Sequence, residues 1–317
     1  MIDMAFKVAC LTPVSHIEGV DKLLSSLGDV VYAPHSNIDE ALAASTGCDV
    51  VFVNPNKMTY KIDARFMRLP LRHIITASTG TDHIDLDSAS LAGVEVHSLA
   101  SEFDVIEKIS STAEHAFALT MSLVRKIPAA FESVKSGGWD CGAFTGRQLD
   151  SLVFGVVGLG RLGRKYRRYA ESFGGTVLFC DPHVEGGVDL FELANLCDVI
   201  SLHVHLNKNT AGMIGNEFIH RCKKRPVLVN TSRGAVVDEL AVMKGLQDGI
   251  LGGYATDVIA DELGSVQLSQ IIQFSKNRQD VIITPHVGGA TLEAQRHAYC
   301  SVLRIFKGKY AINGLDN

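Results

Sequence analysis

The sequence predicts an α/β protein with two parallel sheets, each covered by helices on both faces. A strand-then-helix order repeats over residues 1–100 and restarts near residue 152. Parallel strands need a crossover between them, and a helix usually supplies it, so this alternation predicts two doubly wound sheets. The length of 317 residues also suits two domains.

The first half contains five predicted strands with helices between them. The predicted strands are Phe6–Leu11, Val30–Ala33, Val50–Val53, His73–Ala77 and Val94–His97. The predicted helices are Val20–Leu27, Ile38–Ser45, Ala64–Arg68 and Ser88–Ala92. A loop of small residues, Ser78–Asp82, follows the fourth strand, where ligands of such sheets bind. Backbone N–H groups at Ser78, Thr79 and Gly80 could receive an anion, although an ordinary surface loop explains the same residues.

The second half repeats the pattern and ends in a helix predicted at Thr291–Phe306. Its predicted strands are Leu152–Phe154, Thr176–Cys180, Asp198–His203, Val227–Asn230, Leu251–Asp257 and Val281–Thr284. Its predicted helices are Arg164–Ser172, Asp189–Leu196, Asn216–Cys222 and Glu239–Asp248. We expect the last helix to pack against the N-terminal half. The first domain is then discontinuous, with residues 1–100 and 289–317 enclosing an inserted domain of residues 101–288.

A glycine motif lies between the first strand and first helix of the inserted domain. Gly158 permits a tight turn, Gly160 lets a pyrophosphate approach the backbone, and Gly163 allows close packing of helix and strand. The next strand ends in Asp181, 18 residues after Gly163, where a carboxylate can bind a ribose hydroxyl pair. The pattern predicts a Rossmann-type domain that binds NAD, and nearby arginines leave NADP as the alternative.

A long apolar helix is predicted at Ile109–Ile127, ended by Pro128. Its apolar residues surround most of the helix, which is typical of a core or a subunit interface. We therefore expect a homodimer formed through this helix.

Three places in the last third could carry chemistry. Arg233 offers a planar fork for a carboxylate, the acidic loop from Asp257 to Glu262 follows a strand, and His286 lies between a proline and two glycines. Each has an ordinary explanation as well, as a surface arginine, a solvated loop and a structural histidine. His203 and His205 lack further ligands at suitable spacing, so no metal site is predicted.

Composition argues against several other partners. The net charge of -5 predicts no nucleic-acid surface. No apolar run of about 18 residues is present, and Met1–Cys10 lacks the basic and long apolar regions of a signal peptide, so we expect no membrane partner. The seven cysteines are scattered without a C-x-x-C pair, which indicates reduced thiols and a cytoplasmic location.

Taken together, these motifs resemble the D-isomer-specific 2-hydroxyacid dehydrogenase family over nearly the whole chain. The resemblance is carried by Ser78–Asp85, Ser111–His115, Gly158–Gly163, Asp181-Pro182, Asp198–His203, Asn230–Gly234, Val237–Glu239, Asp257 and Thr284–Thr291. It implies a Rossmann cofactor domain inserted in a flavodoxin-like substrate domain. The implied activity is hydride transfer between NAD(H) and a small 2-oxo or 2-hydroxy acid of the D-isomer.

The resemblance also implies roles for individual residues. Arg233 would bind the carboxylate, and His286 would be the general acid/base with Glu262 as its partner. Ser78, Thr79 and Gly80, with Arg233 and His286, would bind the substrate. The implied cofactor-binding residues are Gly158, Leu159, Gly160, Arg161, Leu162, Asp181, His203, Thr231 and Asp257, the last near the nicotinamide amide.

Two departures from the family pattern bear on the site. Leu263 follows Glu262 where the family usually has proline, so Asp261 is an alternative partner for His286. The segment Leu99–Lys108 is also longer than usual, which could change the substrate size admitted. A different class of function stays open as well, because the family includes transcriptional corepressors that sense nucleotides.

Overall fold

The computed structural model describes residues 5–55, 59–262 and 266–310. Its contacts divide the chain into two compact units, one of Met1–Ile109 with Ala290–Asn317 and one of Ser110–Gly289. The first division lies nine residues beyond the boundary expected after residue 100. The reason is a short helix in the longer segment after Leu99, because its Ile106 packs in the core of the first unit.

The first unit contains a five-stranded parallel sheet. Its strands are β1 (Phe6–Cys10), β2 (Gly28–Tyr32), β3 (Val50–Val53), β4 (His73–Thr76) and β5 (Glu95–His97). They lie in the order β2-β1-β3-β4-β5, which is the flavodoxin-like order. Every residue of β3 and β4 is buried, as expected for central strands covered on both faces.

Five helices belong to this unit. They are α1 (Val20–Ser25), α2 (Ile38–Ser45), α3 (Leu86–Leu91), α4 (Phe103–Ile106) and α12 (Leu292–Lys309). The prediction that the last helix packs against the N-terminal half is confirmed, since α12 contacts α1, α4 and β4. Leu303 and Phe306 of α12 are buried in one core with Phe6 and Phe52.

The second unit contains a six-stranded parallel sheet. Its strands are β6 (Val153–Val157), β7 (Thr176–Cys180), β8 (Val199–Leu202), β9 (Val227–Asn230), β10 (Gly253–Thr256) and β11 (Val281–Ile283), in the order β11-β10-β9-β8-β6-β7. Its helices are α5 (Ser111–Val124), α6 (Ile127–Lys135), α7 (Arg161–Ser172), α8 (Leu190–Leu196), α9 (Asn216–Arg221), α10 (Glu239–Gln247) and α11 (Gln270–Ser275). The expectation of two parallel α/β sheets is thus confirmed.

The edge of the second sheet differs from the usual Rossmann order, which continues with one more strand beyond β7. Here residues 181–188 form turns, and only the Val188 N–H bonds back to the Phe179 carbonyl, at 2.9 Å. The strand order switches at β6. This strand pairs with β7 on one side and with β8 on the other, so the sheet grows first to one side of β6 and then to the other. Ligands bind at such switch points, beyond the carboxyl ends of the strands.

The helix predicted at Ile109–Ile127 is present, but it ends earlier than expected, at Val124. The structure has α5 and α6, separated at Lys126, whose φ of 54° interrupts the helix. Pro128 lies in the first turn of α6 and so begins a helix, where its missing N–H costs no intrahelical bond. Within the described part of the chain, no helix has the length and apolar character needed to cross a membrane.

Candidate functional site

The loops that follow β9, β10 and β11 carry the three residues expected to perform chemistry. These strands are neighbours and parallel, so their carboxyl ends share one edge of the sheet. Arg233 follows β9, Glu262 lies in the loop after β10, and His286 follows β11. The topology therefore gathers residues that are up to 53 positions apart in sequence.

His286 and Glu262 form a direct contact. The Nδ1 atom of His286 lies 2.7 Å from Oε2 of Glu262, and both side chains are partly exposed. The other carboxylate oxygen of Glu262 accepts the Ile259 N–H at 3.1 Å, which fixes the carboxylate. Of the two acidic residues considered as the partner, Glu262 contacts the imidazole, and Asp261 is exposed. Leu263 lies outside the described residues.

The backbone of His286 is in the left-handed region, with φ of 53°. This conformation is uncommon for residues other than glycine, and it costs free energy that the surrounding structure must offset. The His286 N–H donates to the carbonyls of Asp257 at 2.9 Å and Thr284 at 3.0 Å. Strained backbone of this kind occurs often at active sites and ligand clamps.

The buried Asp257 carboxylate holds the His286 loop in place. Its Oδ1 accepts the Thr284 hydroxyl at 2.5 Å and the Val287 N–H at 2.9 Å, and its Oδ2 accepts the Gly288 N–H at 2.7 Å. Burial alone would raise the pKa of Asp257, but hydrogen bonds from His115, Thr284 and these amides outweigh it and lower the pKa. Asp257 is therefore an anion that ties β10 to the loop after β11.

His115 extends this network to helix α5. Its Nε2 lies 2.9 Å from the Thr284 hydroxyl and 3.3 Å from Oδ1 of Asp257. The His115 side chain is only 22% exposed, so these contacts are sheltered from water. The sequence suggested buried pairing for His115 but gave no partner for it.

Arg233 is held by the short loop in which it lies. Its Nη1 donates to the Ser232 carbonyl at 2.8 Å, and its own carbonyl accepts the Asn230 side-chain amide at 3.0 Å. A Cβ atom on Gly234 would lie 1.9 Å from the carbonyl carbon of Ile259, so only glycine permits this approach. The Arg233 loop is thereby packed directly against the loop that carries Glu262.

The glycine motif has the geometry that dinucleotide binding requires. Gly158 has φ of 88°, and a Cβ on Gly163 would lie 2.0 Å from the Gly158 carbonyl oxygen. At Gly160, by contrast, a Cβ would meet no heavy atom within 4 Å among the described residues beyond its chain neighbours. The backbone there is open to a bulky group, as the approach of a pyrophosphate needs.

Asp181 lies beside this turn and shapes it. Its Oδ2 accepts the Leu159 N–H at 2.7 Å, and its Oδ1 accepts the His183 N–H at 2.8 Å. Arg161 and Leu162 form the first turn of α7 and are half-buried. An acid at the end of the second strand is where a ribose hydroxyl pair would be received.

Two further predicted cofactor residues present buried polar atoms with no partner. His203 Nδ1 and Thr231 Oγ1 have no hydrogen-bond partner among the described residues. His203 Nε2 lies 2.9 Å from the Ser201 hydroxyl, and burial lowers the pKa of His203 to about 3, so its ring is neutral. Buried polar atoms are normally paired, so these two fit a site completed by a ligand.

The predicted anion loop belongs to the first unit. The Ser78 hydroxyl donates to the Gly80 carbonyl at 2.6 Å and lies 2.9 Å from the Thr76 hydroxyl. Ser78, Thr79 and Gly80 are all half-buried. The loop is thus closed by its own hydrogen bonds, and its role in substrate binding stays a prediction.

Sequence reasoning gave no role to two residues that support the site. Thr284 donates to Asp257, and Glu239 accepts the Ala260 N–H at 2.9 Å, which holds the acidic loop. Burial raises the pKa of Glu239, and the neighbouring Asp238 and Glu262 raise it further. The sequence offered one indication of a supporting role for Thr284. It lies two residues before His286, so the end of the same strand places both residues close together.

Comparison with known proteins agrees with this geometry. Residues 117–288 match the model of the family described as D-isomer specific 2-hydroxyacid dehydrogenase, NAD binding domain. D-3-phosphoglycerate dehydrogenase of Bacillus subtilis is 32% identical over 295 residues, which cover 90% of this chain and 53% of that protein. The enzyme of the same name from Methanocaldococcus jannaschii is 31% identical over 311 residues, covering 93% of this chain and 57% of that protein.

Solved structures give the same result. D-lactate dehydrogenase from Aquifex aeolicus, in complex with NAD and lactic acid, is 26% identical with a TM-score of 0.81, covering 96% of this chain and 95% of that one. The chain spans only about half the length of the two phosphoglycerate dehydrogenases. Since the family model covers more than half of the sequence, the chain belongs to the D-isomer specific 2-hydroxyacid dehydrogenase family.

Proposed function

We propose that this protein is an oxidoreductase that transfers a hydride between NAD(H) and a small 2-oxo or 2-hydroxy acid of the D-isomer. The observation that carries the proposal is the 2.7 Å contact between His286 and Glu262, together with the packing of the Glu262 loop against the Arg233 loop. These three residues supply a proton donor, a carboxylate that favours the charged imidazole, and a guanidinium group that can bind the substrate carboxylate. Reduction of a 2-oxo acid can use all three.

Each residue then has a separate task. Arg233 would bind the substrate carboxylate and polarise its carbonyl, which restricts the substrate to orientations with a short path for the hydride. The Nδ1–H group of His286 would donate a hydrogen bond to Glu262. The other ring nitrogen, Nε2, would give its proton to the substrate oxygen during reduction. Glu262 orients the ring and stabilises the imidazolium before that transfer.

The second unit suits the dinucleotide that this chemistry needs. Gly158, Gly160 and Gly163 would cradle the pyrophosphate, and Asp181 would receive the ribose hydroxyls. His203 Nδ1 and Thr231 Oγ1 are the buried atoms left for polar groups of the cofactor. When bound, the nicotinamide supplies or accepts the hydride. The carboxylate of Asp181 would repel a 2′-phosphate, so we propose NAD over NADP.

Asp257 would act by positioning His286. Its two oxygens are already engaged by Thr284, Val287 and Gly288, so its main effect is on the loop. With His115 beside it, the carboxylate offsets the cost of the left-handed His286 backbone. The family resemblance also implies that Asp257 lies near the nicotinamide amide.

A cytoplasmic location is part of the proposal. All seven cysteines are free, and burial raises the pKa of Cys10, Cys197 and Cys222 to about 12. Free thiols are typical of a reducing compartment. The three buried thiols with a raised pKa are also unreactive.

We also propose a homodimer, but through a different surface from the helix first expected. The apolar residues of α5, including Ala116, Phe117 and Leu119, are buried in the core of the second unit. The exposed apolar side chains are on α6, where Ile127, Phe131 and Val134 are 49%, 61% and 52% exposed. With the end of α5 they line a concave surface that a second copy of the chain could cover.

The proposed activity is tested by replacing Arg233 with lysine. Arg233→Lys keeps the charge but loses the bidentate fork, so kcat/KM for 2-oxo acids should fall on the order of 100-fold or more. NADH oxidation with pyruvate, glyoxylate and 3-phosphohydroxypyruvate measures this, and NADH binding should stay unchanged. Arg221→Lys, on an exposed part of α9, is the control. Full activity of Arg233→Lys would refute the assignment.

The same assay separates an enzyme from a nucleotide-sensing binding protein. The unsubstituted chain should consume NADH with at least one of the acids and give the D-hydroxy acid. Tight NADH binding with no consumption by any of them would favour the binding protein.

The role of Glu262 can be tested against its neighbour Asp261. Glu262→Gln keeps the shape but cannot stabilise the imidazolium, so kcat should fall roughly tenfold or more, part of the contribution of general acid–base catalysis. Asp261→Asn changes an exposed carboxylate and should leave kcat within about twofold, since surface substitutions of this kind have small effects. The reverse ranking of the two variants would assign the partnership to Asp261.

Asp257→Asn should destabilise the second unit. An amide placed among N–H and O–H donors leaves at least one buried donor unpaired, which costs about 1–3 kcal/mol. The native pKa of Asp257 lies below its unfolded value, so its stabilising effect is complete above the unfolded pKa and lost as the pH falls through the native pKa. Urea unfolding from pH 7 downwards should show the variant's loss of stability shrinking in acid. The control Asp248→Asn removes an exposed ion pair with Lys244 and should lose less than about 1 kcal/mol.

Association through α6 predicts a dimer whose stability depends on Phe131. Phe131→Glu should raise the dissociation constant at least tenfold, because a charge would be buried in an apolar contact. Leu240→Glu is the matched control, as Leu240 is equally exposed, at 61%, on α10. Sedimentation of the unsubstituted chain at the monomer mass across micromolar concentrations would contradict the proposal.

A further inference from the structure

Two histidines and a glutamate meet on neighbouring strands of the first unit. The register of β4 and β5 pairs His73 with Glu95 and Ile75 with His97. Glu95 and His97 are two residues apart on β5, so they project from the same face of the sheet as His73. No local sequence pattern indicates this cluster, because His73 lies 22 residues before Glu95.

The spacing of their ligand atoms matches a tetrahedral metal site. Ligand atoms of all three residues lie within 4.8 Å of one another. His97 Nε2 is 3.4 Å from His73 Nδ1 and 3.7 Å from Oε2 of Glu95. A tetrahedron with zinc–ligand distances of about 2.0–2.2 Å has edges of about 3.3–3.6 Å. The two measured separations therefore need only small adjustments to hold one ion.

The three side chains are also of the types that zinc accepts as ligands, two imidazoles and one carboxylate. The His73 side chain is 4% exposed, so its Nδ1, the atom that lies beside His97, is sheltered from water.

Aromatic rings fix the orientation of both histidines. The His73 ring centroid lies 5.6 Å from that of Phe6, 5.2 Å from Phe306 and 4.5 Å from Tyr310. The His97 ring packs on Phe306 and Tyr310 as well. Rings held in this way need little reordering on binding an ion, which favours affinity.

Glu95 is held by residues at the end of α12. Its Oε2 accepts the Tyr310 hydroxyl at 2.6 Å and Lys309 Nζ at 2.8 Å. Tyr310 would orient the carboxylate as a ligand, as outer-shell partners do in metal sites. Lys309 is the cation that neutralises Glu95 in this structure, so a metal ion would compete with it.

We propose that His73, Glu95 and His97 form a binding site for a divalent transition metal of the zinc type. Two imidazole nitrogens and one carboxylate are ligands that Zn²⁺ accepts, with a fourth position left for water. The proposal does not rest on the proposed dehydrogenase activity, whose catalytic residues Arg233, Glu262 and His286 belong to the second unit. A bound ion would fasten the end of α12 to β4 and β5.

Zinc binding by the full chain tests the proposal. After removal of metals by chelation and dialysis, titration with ZnCl₂ is followed by calorimetry and by analysis of bound zinc. His97→Gln and Glu95→Gln should each lose one equivalent of zinc or weaken that equivalent at least tenfold. The control His220→Gln removes an exposed histidine on α9 and should bind zinc as the unsubstituted chain does. Equal zinc binding by all four proteins would overturn the site.

Two further measurements do not depend on the folding of the ligand variants. Lys309→Met keeps the apolar stem and removes the competing cation, so it should bind zinc more tightly than the unsubstituted chain; unchanged or weaker binding would contradict the site. Co²⁺ added to the unsubstituted chain should give the intense visible bands of a tetrahedral ion, and Zn²⁺ should abolish them. Only the weak bands of an octahedral ion would likewise contradict the proposal.

Discussion

The buried carboxylate of Asp257 is the interaction on which the candidate site depends most. It accepts hydrogen bonds from the Thr284 hydroxyl and from two backbone N–H groups of the loop after β11, while Asp257 itself directly follows β10. Since each donor is satisfied by this one anion, the loop has little freedom to relax, and His286 keeps a backbone conformation that it would otherwise leave. Asp257 thus fixes the position of His286, the proposed acid/base, through hydrogen bonds made inside the protein.

Close backbone packing fixes the loops after β9 and β10, which lie at the same edge of the sheet. Gly234 brings the Arg233 loop against Ile259, and Glu239 and Glu262 both accept N–H groups of the acidic loop. Three loops that could each move alone are therefore linked to one another. A site that relies on short proton and hydride transfers benefits from such linkage, because small displacements of catalytic groups are costly in rate.

Much of this arrangement follows from local sequence patterns, and some of it does not. Alternating strands and helices predicted both sheets, and the glycine spacing with Asp181 predicted the cofactor turn. The break between α5 and α6 was not predicted. A proline after an apolar run can indicate either the end of one helix or the first turn of the next. The support that Thr284 and His115 give to Asp257, and the meeting of His73 with Glu95 and His97, depend on strand register and tertiary packing, which no local pattern encodes.

The discontinuous first unit has a consequence for how the nascent chain folds. Strands β1 to β5 leave the ribosome early, but α12, which supplies Leu303 and Phe306 to their core, follows the whole of Ser110–Gly289. The inserted unit can complete its own core while the first sheet still lacks its covering helix. During that interval Phe6 and Phe52 remain uncovered by α12 residues. The interval between synthesis of β5 and synthesis of α12 is therefore the stage at which this chain most needs protection from aggregation.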